Sequence, residues 1–207
     1  MILLLACAVG PQETTRIDDL QVVAVLAEPP SAAPGELINL ETLVADPLQT
    51  GFEQWQWTCV GEVCDPVGDA LLVQQPVPTQ HWTLVCEPGL CDNPEVRSDA
   101  GALLEELPRQ GVSLGLRWLQ LAPLGHANPT ITCEGDTALS CLIEGDFSEY
   151  SAVHPYSTSG GFEEELVEVG PGDTEVSLTW FPDEEEAEAW VVLVDGQGGV
   201  GVWVSER

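Results

Sequence analysis

Short runs in which apolar residues alternate with other residues recur from Leu20 to the C-terminus, and Pro- or Gly-rich turns separate them. An alternation of period two is typical of a β-strand with one covered face, because successive side chains point to opposite sides of a sheet. Short strands between such turns favour a β-sandwich. The pattern therefore predicts an all-β chain.

The C-terminal segment "AWVVLVDGQGGVGVWVSER" is the clearest predicted element. Trp190, Val192 and Val194 alternate toward a Gly-rich turn, and a second alternating run leads away from it. Glycines supply the positive φ angles that a tight connection needs. We expect a terminal β-hairpin here, with residues 174–181 as its partner strand.

Nearer the N-terminus, the apolar run after Leu20 predicts a strand that ends at Glu28, because Pro29 and Pro30 have no amide hydrogen for a sheet ladder. In residues 52–59 the alternation places Trp55, Trp57 and Cys59 on one side of a strand. Further strands are predicted over residues 37–44, 80–86 and 112–122. One short helix is predicted over residues 98–107, where three leucines form an apolar stripe before Pro108.

Acidic residues dominate the charge. The chain has 35 Asp plus Glu against five Arg and no Lys, so its formal net charge is -30. Such a field repels phosphate backbones and anionic lipid headgroups. Nucleic acid is therefore excluded as a partner, and any charged partner is expected to be cationic; plain solubility is the simpler interpretation.

Six of the seven cysteines form close pairs in the sequence, which are Cys59 with Cys64, Cys86 with Cys91, and Cys133 with Cys141. Cys7 stands alone. An even set at short spacing is typical of an exported protein with disulfides. Pairing within each short loop is favoured, crossed pairing among the first four cysteines stays open, and a four-thiolate zinc site is the less favoured alternative.

The chain opens with "MILLLACAVG", an apolar run that is too short for a membrane-spanning helix of about 20 residues. It is typical of the apolar region of a signal peptide. The stretch Leu4-Leu5-Ala6-Cys7 resembles the lipobox of bacterial lipoproteins, in which the cysteine is acylated and becomes the mature N-terminus. Since a signal peptide needs a positive start and no basic residue precedes Arg16, we expect translation to begin upstream. A buried β-strand over residues 2–9 and a plain secretory signal are the alternatives.

The lipobox resemblance implies a lipid anchor on Cys7. In the sorting logic of lipoproteins, an Asp after the acylated cysteine favours the inner membrane; Ala8 stands there, so the resemblance implies the outer membrane. Residues 8–18 are polar and contain Pro and Gly, which predicts a flexible linker with a reach of roughly 20 Å.

Four segments carry a wider resemblance: "VVAVLAEPPSAAPGELINLETLVADP", "WQWTCV", "HANPTIT" and "WVVLVDGQGGVGVW". They are similar to uncharacterised predicted lipoproteins of myxobacteria and their relatives, which have a lipobox followed by immunoglobulin-like or PKD-like β-sandwich modules. The resemblance implies two immunoglobulin-like β-sandwich modules in tandem after a lipoprotein signal and short linker. It implies no catalytic residues, because none are established for that family.

The expected division of the chain has four parts. Residues 1–7 are the lipoprotein signal remnant with the lipidation site, and residues 8–18 are the linker. Residues 19–124 are the first β-sandwich domain, with two cysteine loops and the short helix. Residues 125–207 are the second β-sandwich domain, since Pro, Gly and Asn cluster at residues 123–129.

The sequence offers no recognisable catalytic motif. His81, His126 and His154 lack the spacings of metal ligands, and the chain has no nucleophile elbow, P-loop or dinucleotide fingerprint. We expect no enzyme activity, no cofactor and no dedicated metal site.

The acidic runs at residues 163–165 and 183–188 lack the alternating ligands of a calcium loop. Weak calcium binding there, or at Asp195 with Asp173 or Asp146, is the alternative to a solvated acidic surface.

These observations predict a membrane-anchored envelope lipoprotein that acts as a non-enzymatic binding, scaffolding or adhesion module. Loops at one end of a sandwich would contact a protein or a glycan. The alternative is a divalent-cation-dependent or hydrolytic enzyme, which would need a pocket in which His154, Tyr150, Tyr156 and carboxylates converge. A third reading is a spacer that presents something else.

Overall fold

The computed structural model describes residues 15–30, 36–60, 63–66, 70–72, 79–93, 111–119, 126–183 and 187–205. Of residues 59–60, 63–66, 70–72, 79–80 and 115–119 it describes the backbone only. Cys7 and the predicted helix over residues 98–107 lie outside these ranges. The described chain is all-β, with fifteen strands in four antiparallel sheets and no helix, so the all-β prediction is confirmed.

The first module contains seven strands: β1 (Gln21–Glu28), β2 (Leu37–Ala45), β3 (Glu53–Val60), β4 (Val63–Pro66), β5 (Ala70–Leu72), β6 (Thr79–Cys86) and β7 (Val112–Leu119). They form sheet I in the order β1-β2-β5 and sheet II in the order β4-β3-β6-β7.

The second module contains eight strands: β8 (Thr130–Glu134), β9 (Ala138–Glu144), β10 (Ser151–Ser157), β11 (Gly161–Phe162), β12 (Val167–Val169), β13 (Glu175–Phe181), β14 (Ala189–Val194) and β15 (Val200–Val204). They form sheet III in the order β12-β10-β14-β15 and sheet IV in the order β11-β13-β9-β8.

Sheets III and IV enclose the largest cluster of buried apolar side chains among the described residues. Side chains of β9 and β13 alternate between buried and solvent-facing, as the period-two pattern requires. Trp180, 1% exposed, belongs to this core together with Val191 and Leu193 of β14. Its indole Nε1 donates to Ser157 Oγ at 3.0 Å, and its ring stacks on Phe162 at 5.9 Å between centroids. The core therefore satisfies the polar edge of its largest side chain.

The predicted pairing of residues 174–181 with the C-terminal hairpin is wrong, although the strand itself is present as β13. β13 pairs with β9 and β11 in sheet IV, whereas the hairpin strand β14 pairs with β10 in sheet III. The two strands meet across the core and not edge to edge. The alternation shows that one face of a strand is covered, but it does not specify which sheet the strand joins.

Sheet I packs against sheet II inside the first module. Val22 and Val25 of β1, with Val44 of β2, contact Val85 of β6. The edges are also tied together, because the amide of Val22 donates to Ser113 Oγ at 3.0 Å. These contacts close the first sandwich.

The opposite face of sheet I packs against sheet III of the second module. Val23 and Ala24 of β1 lie in one buried cluster with Trp190 and Val192 of β14 and Tyr156 of β10. Sheet I is thus covered on both faces, which explains why β1 is an almost continuous apolar run. The sheets stack in the order II, I, III, IV, and the two sandwiches share a core.

The end of the predicted linker is part of the folded body. Ile17 is 1% exposed; its amide donates to the Ser157 carbonyl at 2.7 Å, and the Ser157 amide donates to the Thr15 carbonyl at 2.8 Å. Thr15 Oγ1 accepts from the Phe162 amide at 3.0 Å. The predicted flexible linker over residues 8–18 is therefore wrong for residues 15–18, because Ile17 and these backbone groups bind the second module. Residues 8–14 lie outside the described ranges.

Candidate functional site

The structure brings together one pair of predicted candidates, His126 and Asp195, which lie 69 residues apart in the sequence. His126 Nε2 and Asp195 Oδ2 are 2.5 Å apart, and the side chains are 7% and 1% exposed. Asp195 Oδ1 accepts from the amides of Gln197 at 2.7 Å and Gly199 at 2.8 Å. The carboxylate thus holds the β14–β15 turn closed and fixes the segment before β8 against it.

Asp195 also belongs to the weak calcium site that the sequence left open. Both of its carboxylate oxygens have protein partners, and Asp173 accepts from the Gly170 amide at 2.8 Å in its own turn. Asp146 contributes its carbonyl oxygen, not its carboxylate, to Gln197 Nε2 at 3.2 Å. Among the described residues, no group of three or more His, Cys, Asp or Glu is placed to hold a metal ion.

Two described acidic residues of the runs at residues 163–165 and 183–188, Glu164 and Asp183, make protein contacts through their carboxylates. The Glu164 carboxylate accepts from the Thr179 amide at 2.8 Å, and Asp183 lies 3.6 Å from Arg16 Nη1. Residues 184–186 lie outside the described ranges. These contacts attach the segments to neighbouring strands.

The two tyrosines of the alternative hydrolytic pocket lie apart from each other. Tyr156 is 6% exposed and packs between the modules, whereas Tyr150 is 65% exposed and lies just before β10 begins. Six residues along a strand separate their Cα atoms by roughly 20 Å. A hydrogen bond to Glu149 and the charge of that carboxylate raise the pKa of the Tyr150 hydroxyl, which keeps it protonated. Tyr150 is therefore distant from Tyr156, whereas His154 and Tyr156 lie two residues apart on the same face of β10.

His154 is half-buried on the face of β10 that turns toward sheet I, opposite Val192 of β14. Burial lowers the pKa of His154 from its ordinary value of 6.5, because the charged imidazolium loses solvation. The neutral ring is therefore the form that the fold accommodates.

This depression makes the stability contribution of His154 depend on pH. The unfolded chain binds the proton more readily than the folded chain, so the contribution is present above the unfolded pKa of about 6.5 and is lost as the pH falls through it. We predict that the free energy of unfolding of wild type falls, relative to His154→Gln, between about pH 8 and about pH 5. Urea titrations at both pH values measure it, and a pH-independent difference between the two proteins would contradict it.

His81 belongs to a buried polar cluster inside the first module that the sequence did not indicate. Its ring is fully buried, with Nδ1 3.4 Å from Thr58 Oγ1 and Nε2 3.4 Å from Thr83 Oγ1. Thr83 Oγ1 lies 3.2 Å from Thr42 Oγ1 of the facing sheet, and Gln56 Oε1 is buried without a hydrogen-bond partner in the described chain. The polar side of β3 therefore faces inward, toward sheet I.

Four of the described cysteines form two disulfides. Cys86 and Cys91 form a disulfide with a Cα–Cα distance of 5.5 Å, and Cys133 and Cys141 form one at 3.9 Å across the β8–β9 hairpin. This is the short-loop pairing that the spacing favoured, and it excludes these four sulfurs from a zinc site. Cys59 and Cys64 are direct register partners on β3 and β4.

The register predicts that Cys59 and Cys64 form a third disulfide, since directly opposed residues bring their Cβ atoms within the range of a bridge. Iodoacetamide added to the denatured, unreduced protein should then modify none of the six paired cysteines. After reduction it should modify all six, as read by peptide mass mapping. Alkylation of Cys59 and Cys64 before reduction would show that this pair is a dithiol.

The β2–β3 connection at one end of the first module is an ordered loop. The Asp46 carboxylate accepts from the amides of Thr50 at 3.2 Å and Gly51 at 2.7 Å, and the Asp46 carbonyl accepts from the Gln49 amide at 3.0 Å. Gly51 has φ +74°, a conformation that glycine adopts without strain.

This loop and the start of β3 expose three large apolar side chains: Leu48 at 55%, Phe52 at 43% and Trp55 at 38%. We call Leu48 and Phe52, the two that precede β3, the loop-end patch. The sequence reasoning missed it, although the "DPLQTGF" stretch carries the signal of a turn with apolar residues at positions that no strand covers.

The described part of the chain contains no helix with the length and hydropathy of a membrane span.

The comparisons with known proteins do not assign the chain to a family. No protein-family model matches the chain, and no curated protein matches its sequence. Among solved structures, the crystal structure of red sea bream transglutaminase is similar, with 11% sequence identity and a TM-score of 0.31. The match covers 93% of this chain and 32% of that one, so the chain spans about a third of the length of this neighbour. At this level of similarity the neighbour carries no argument about activity.

Proposed function

We propose that the protein is a lipid-anchored envelope lipoprotein of the outer membrane that acts as a non-enzymatic binding or scaffolding module. The anchor is the acylated Cys7, and the folded body begins by Thr15, so the connecting segment is short. The loop-end patch is the observation that supports the binding role, because an ordered loop exposes the apolar side chains of Leu48 and Phe52 to solvent there.

The candidate catalytic groups support a non-enzymatic role. His126 and Asp195 hold a turn closed, His81 is fully buried among threonines, and Tyr156 packs between the modules. An active site needs a nucleophile, a base and an orienting group around one reachable point. The described candidates are instead used within the fold.

The two parts of the proposal are tested in a Gram-negative host that expresses the chain behind the positively charged leader residues a signal peptide requires. Wild type should incorporate an alkyne-labelled fatty acid and fractionate with the outer membrane, whereas Cys7→Ser should do neither. A photo-crosslinking amino acid incorporated at position 48 should form a covalent crosslink between the protein and an envelope component. Unlabelled wild type in the soluble fraction would refute the anchor, and absence of any crosslinked species would refute the binding role.

A further inference from the structure

We propose that the first module forms an internal ester crosslink between the hydroxyl oxygen of Thr42 and the side-chain carbonyl carbon of Gln56. Thr42 lies on β2 of sheet I and Gln56 lies on β3 of sheet II, so the bond joins the two sheets of one sandwich. This modification is independent of the binding role. It depends on three features of the polar cluster around His81: a nucleophile beside an amide, a route for its proton, and a buried carbonyl oxygen without a donor.

The hydroxyl of Thr42 lies beside the amide of Gln56. Thr42 Oγ1 accepts from Gln56 Nε2 at 3.5 Å and from Gln54 Nε2 at 3.2 Å. The carbonyl carbon of Gln56 is one bond of about 1.3 Å from Nε2, so it lies at most about 5 Å from the hydroxyl oxygen. A rotation of the side-chain amide brings the two atoms toward the range of nucleophilic attack, roughly 3–3.5 Å. A nucleophile held beside its electrophile in this way reacts as if it were highly concentrated.

The cluster also contains a route for the hydroxyl proton. Thr83 Oγ1 lies 3.2 Å from Thr42 Oγ1 and 3.4 Å from His81 Nε2. His81 Nδ1 lies 3.4 Å from Thr58 Oγ1, so a ring protonated at Nδ1 donates to Thr58 and accepts from Thr83 through Nε2. Such hydrogen bonds are often long before a reaction and shorten as it proceeds. Because a hydroxyl both donates and accepts, the proton of Thr42 can pass through Thr83 to the ring.

Burial selects Gln56 over Gln54 as the electrophile. Gln54 is exposed, so water competes with the hydroxyl for its carbonyl carbon. Gln56 lies directly opposite Thr83 in the β3–β6 register, and its Oε1 is buried without a hydrogen-bond partner among the described residues. Most buried amide oxygens have a donor, so this one needs an explanation. An ester carbonyl is a weaker acceptor than an amide carbonyl, and it therefore loses less when it is buried unpaired.

The reaction conserves atoms and electrons without a co-reactant. Thr42 Oγ1 attacks Gln56 Cδ, and the Oγ1–Cδ bond forms while the hydroxyl proton passes toward His81. The bond between Cδ and the amide nitrogen of Gln56 then breaks, the same proton returns to that nitrogen, and ammonia leaves. No atom is oxidised or reduced. The chain keeps an ester and becomes lighter by one ammonia, about 17 Da.

Peptide mapping of the intact, folded chain tests the proposal. The purified protein is reduced, alkylated and digested with a protease that cleaves after glutamate. Cleavage after Glu41, Glu53 and Glu62 places the two reacting residues in separate peptides. Wild type should instead give one species that joins Thr42 to Gln56, lighter by about 17 Da than the two peptides together. Alkaline hydroxylamine, which cleaves esters and leaves amides intact, should separate them.

Matched variants separate the reaction from the fold, which circular dichroism monitors. Thr42→Val keeps the shape of the side chain without its hydroxyl and should lower the crosslinked fraction at least about tenfold, whereas Thr42→Ser should retain it. Thr83→Val should also lower that fraction at least about tenfold, and Thr83→Ser should restore it, since the serine hydroxyl can again pass the proton. Thr130→Val makes the same change at an exposed threonine of β8, and it should crosslink like wild type.

The wild-type map decides the case even where a valine variant fails to fold. Folded wild type without the crosslinked species overturns the proposal, and so does a crosslink that ends on Gln54. A crosslink that survives in Thr42→Val would show that another group is the nucleophile. An undiminished crosslink in folded Thr83→Val would overturn the proton route through Thr83.

Discussion

Replacing Asp195 by alanine should lower the free energy of unfolding by about 3–5 kcal/mol. The carboxylate is fully buried, and alanine would leave the amides of Gln197 and Gly199 and the ring of His126 without their acceptor. Each buried polar group left unpaired costs about 1–3 kcal/mol. Urea unfolding followed by circular dichroism measures the loss.

Asp173→Ala is the matched control, because Asp173 also accepts a backbone amide in a turn but lies on the surface. Its loss should stay near 1 kcal/mol or below, as for other exposed hydrogen bonds. A similar small loss in Asp195→Ala would mean that the His126–Asp195 contact is not a structural element of the fold, and a role for the pair outside stability would then have to be considered.

Replacing Trp190 by alanine should cost about 3–5 kcal/mol, the range for removal of a large buried side chain. Trp190 is 5% exposed and packs against residues of β1 as well as against its own module. The cavity would therefore open between sheets I and III. Hydrogen exchange should show reduced protection in β6 of the first module and in β13 of the second, since both depend on the shared core.

Phe181→Ala provides the comparison, because Phe181 is 56% exposed on β13. Its effect should stay within about 0.5 kcal/mol. If Trp190→Ala reduced protection in β13 while the amides of β6 kept theirs, the two sandwiches would be energetically separate.

The strands were largely predictable because their signal is local. Alternation over residues 174–181 and around the C-terminal turn depends only on neighbours in the sequence, and β13, β14 and β15 lie there. The two observed disulfides were favoured for the same reason, since a short loop keeps its two cysteines close.

The remaining features depend on contacts between distant segments. Alternation in β3 separates Trp57 from Thr58, but it does not reveal that the threonine side faces His81 in the interior. The contact of His126 with Asp195, and the burial of β1 on both faces, arise only when four sheets stack. The loop-end patch was missed because an exposed apolar side chain has no sequence period of its own.

The stacking of sheets bears directly on the proposed function. A patch on a loop is a defined binding surface when the body that carries it is rigid. Sheet I links the loop-bearing module to the second module through the cluster around Trp190, and the residues from Thr15 to Ile17 also bind that module. The segment nearest the proposed anchor and the loop-end patch thus belong to one body.

Differential scanning calorimetry of the intact chain tests this central claim most directly. A shared core predicts one unfolding transition whose calorimetric enthalpy equals its van't Hoff enthalpy, as for a single cooperative unit. Two resolved transitions, or a calorimetric enthalpy about twice the van't Hoff value, would mean that the sandwiches unfold independently and that sheet I does not join them.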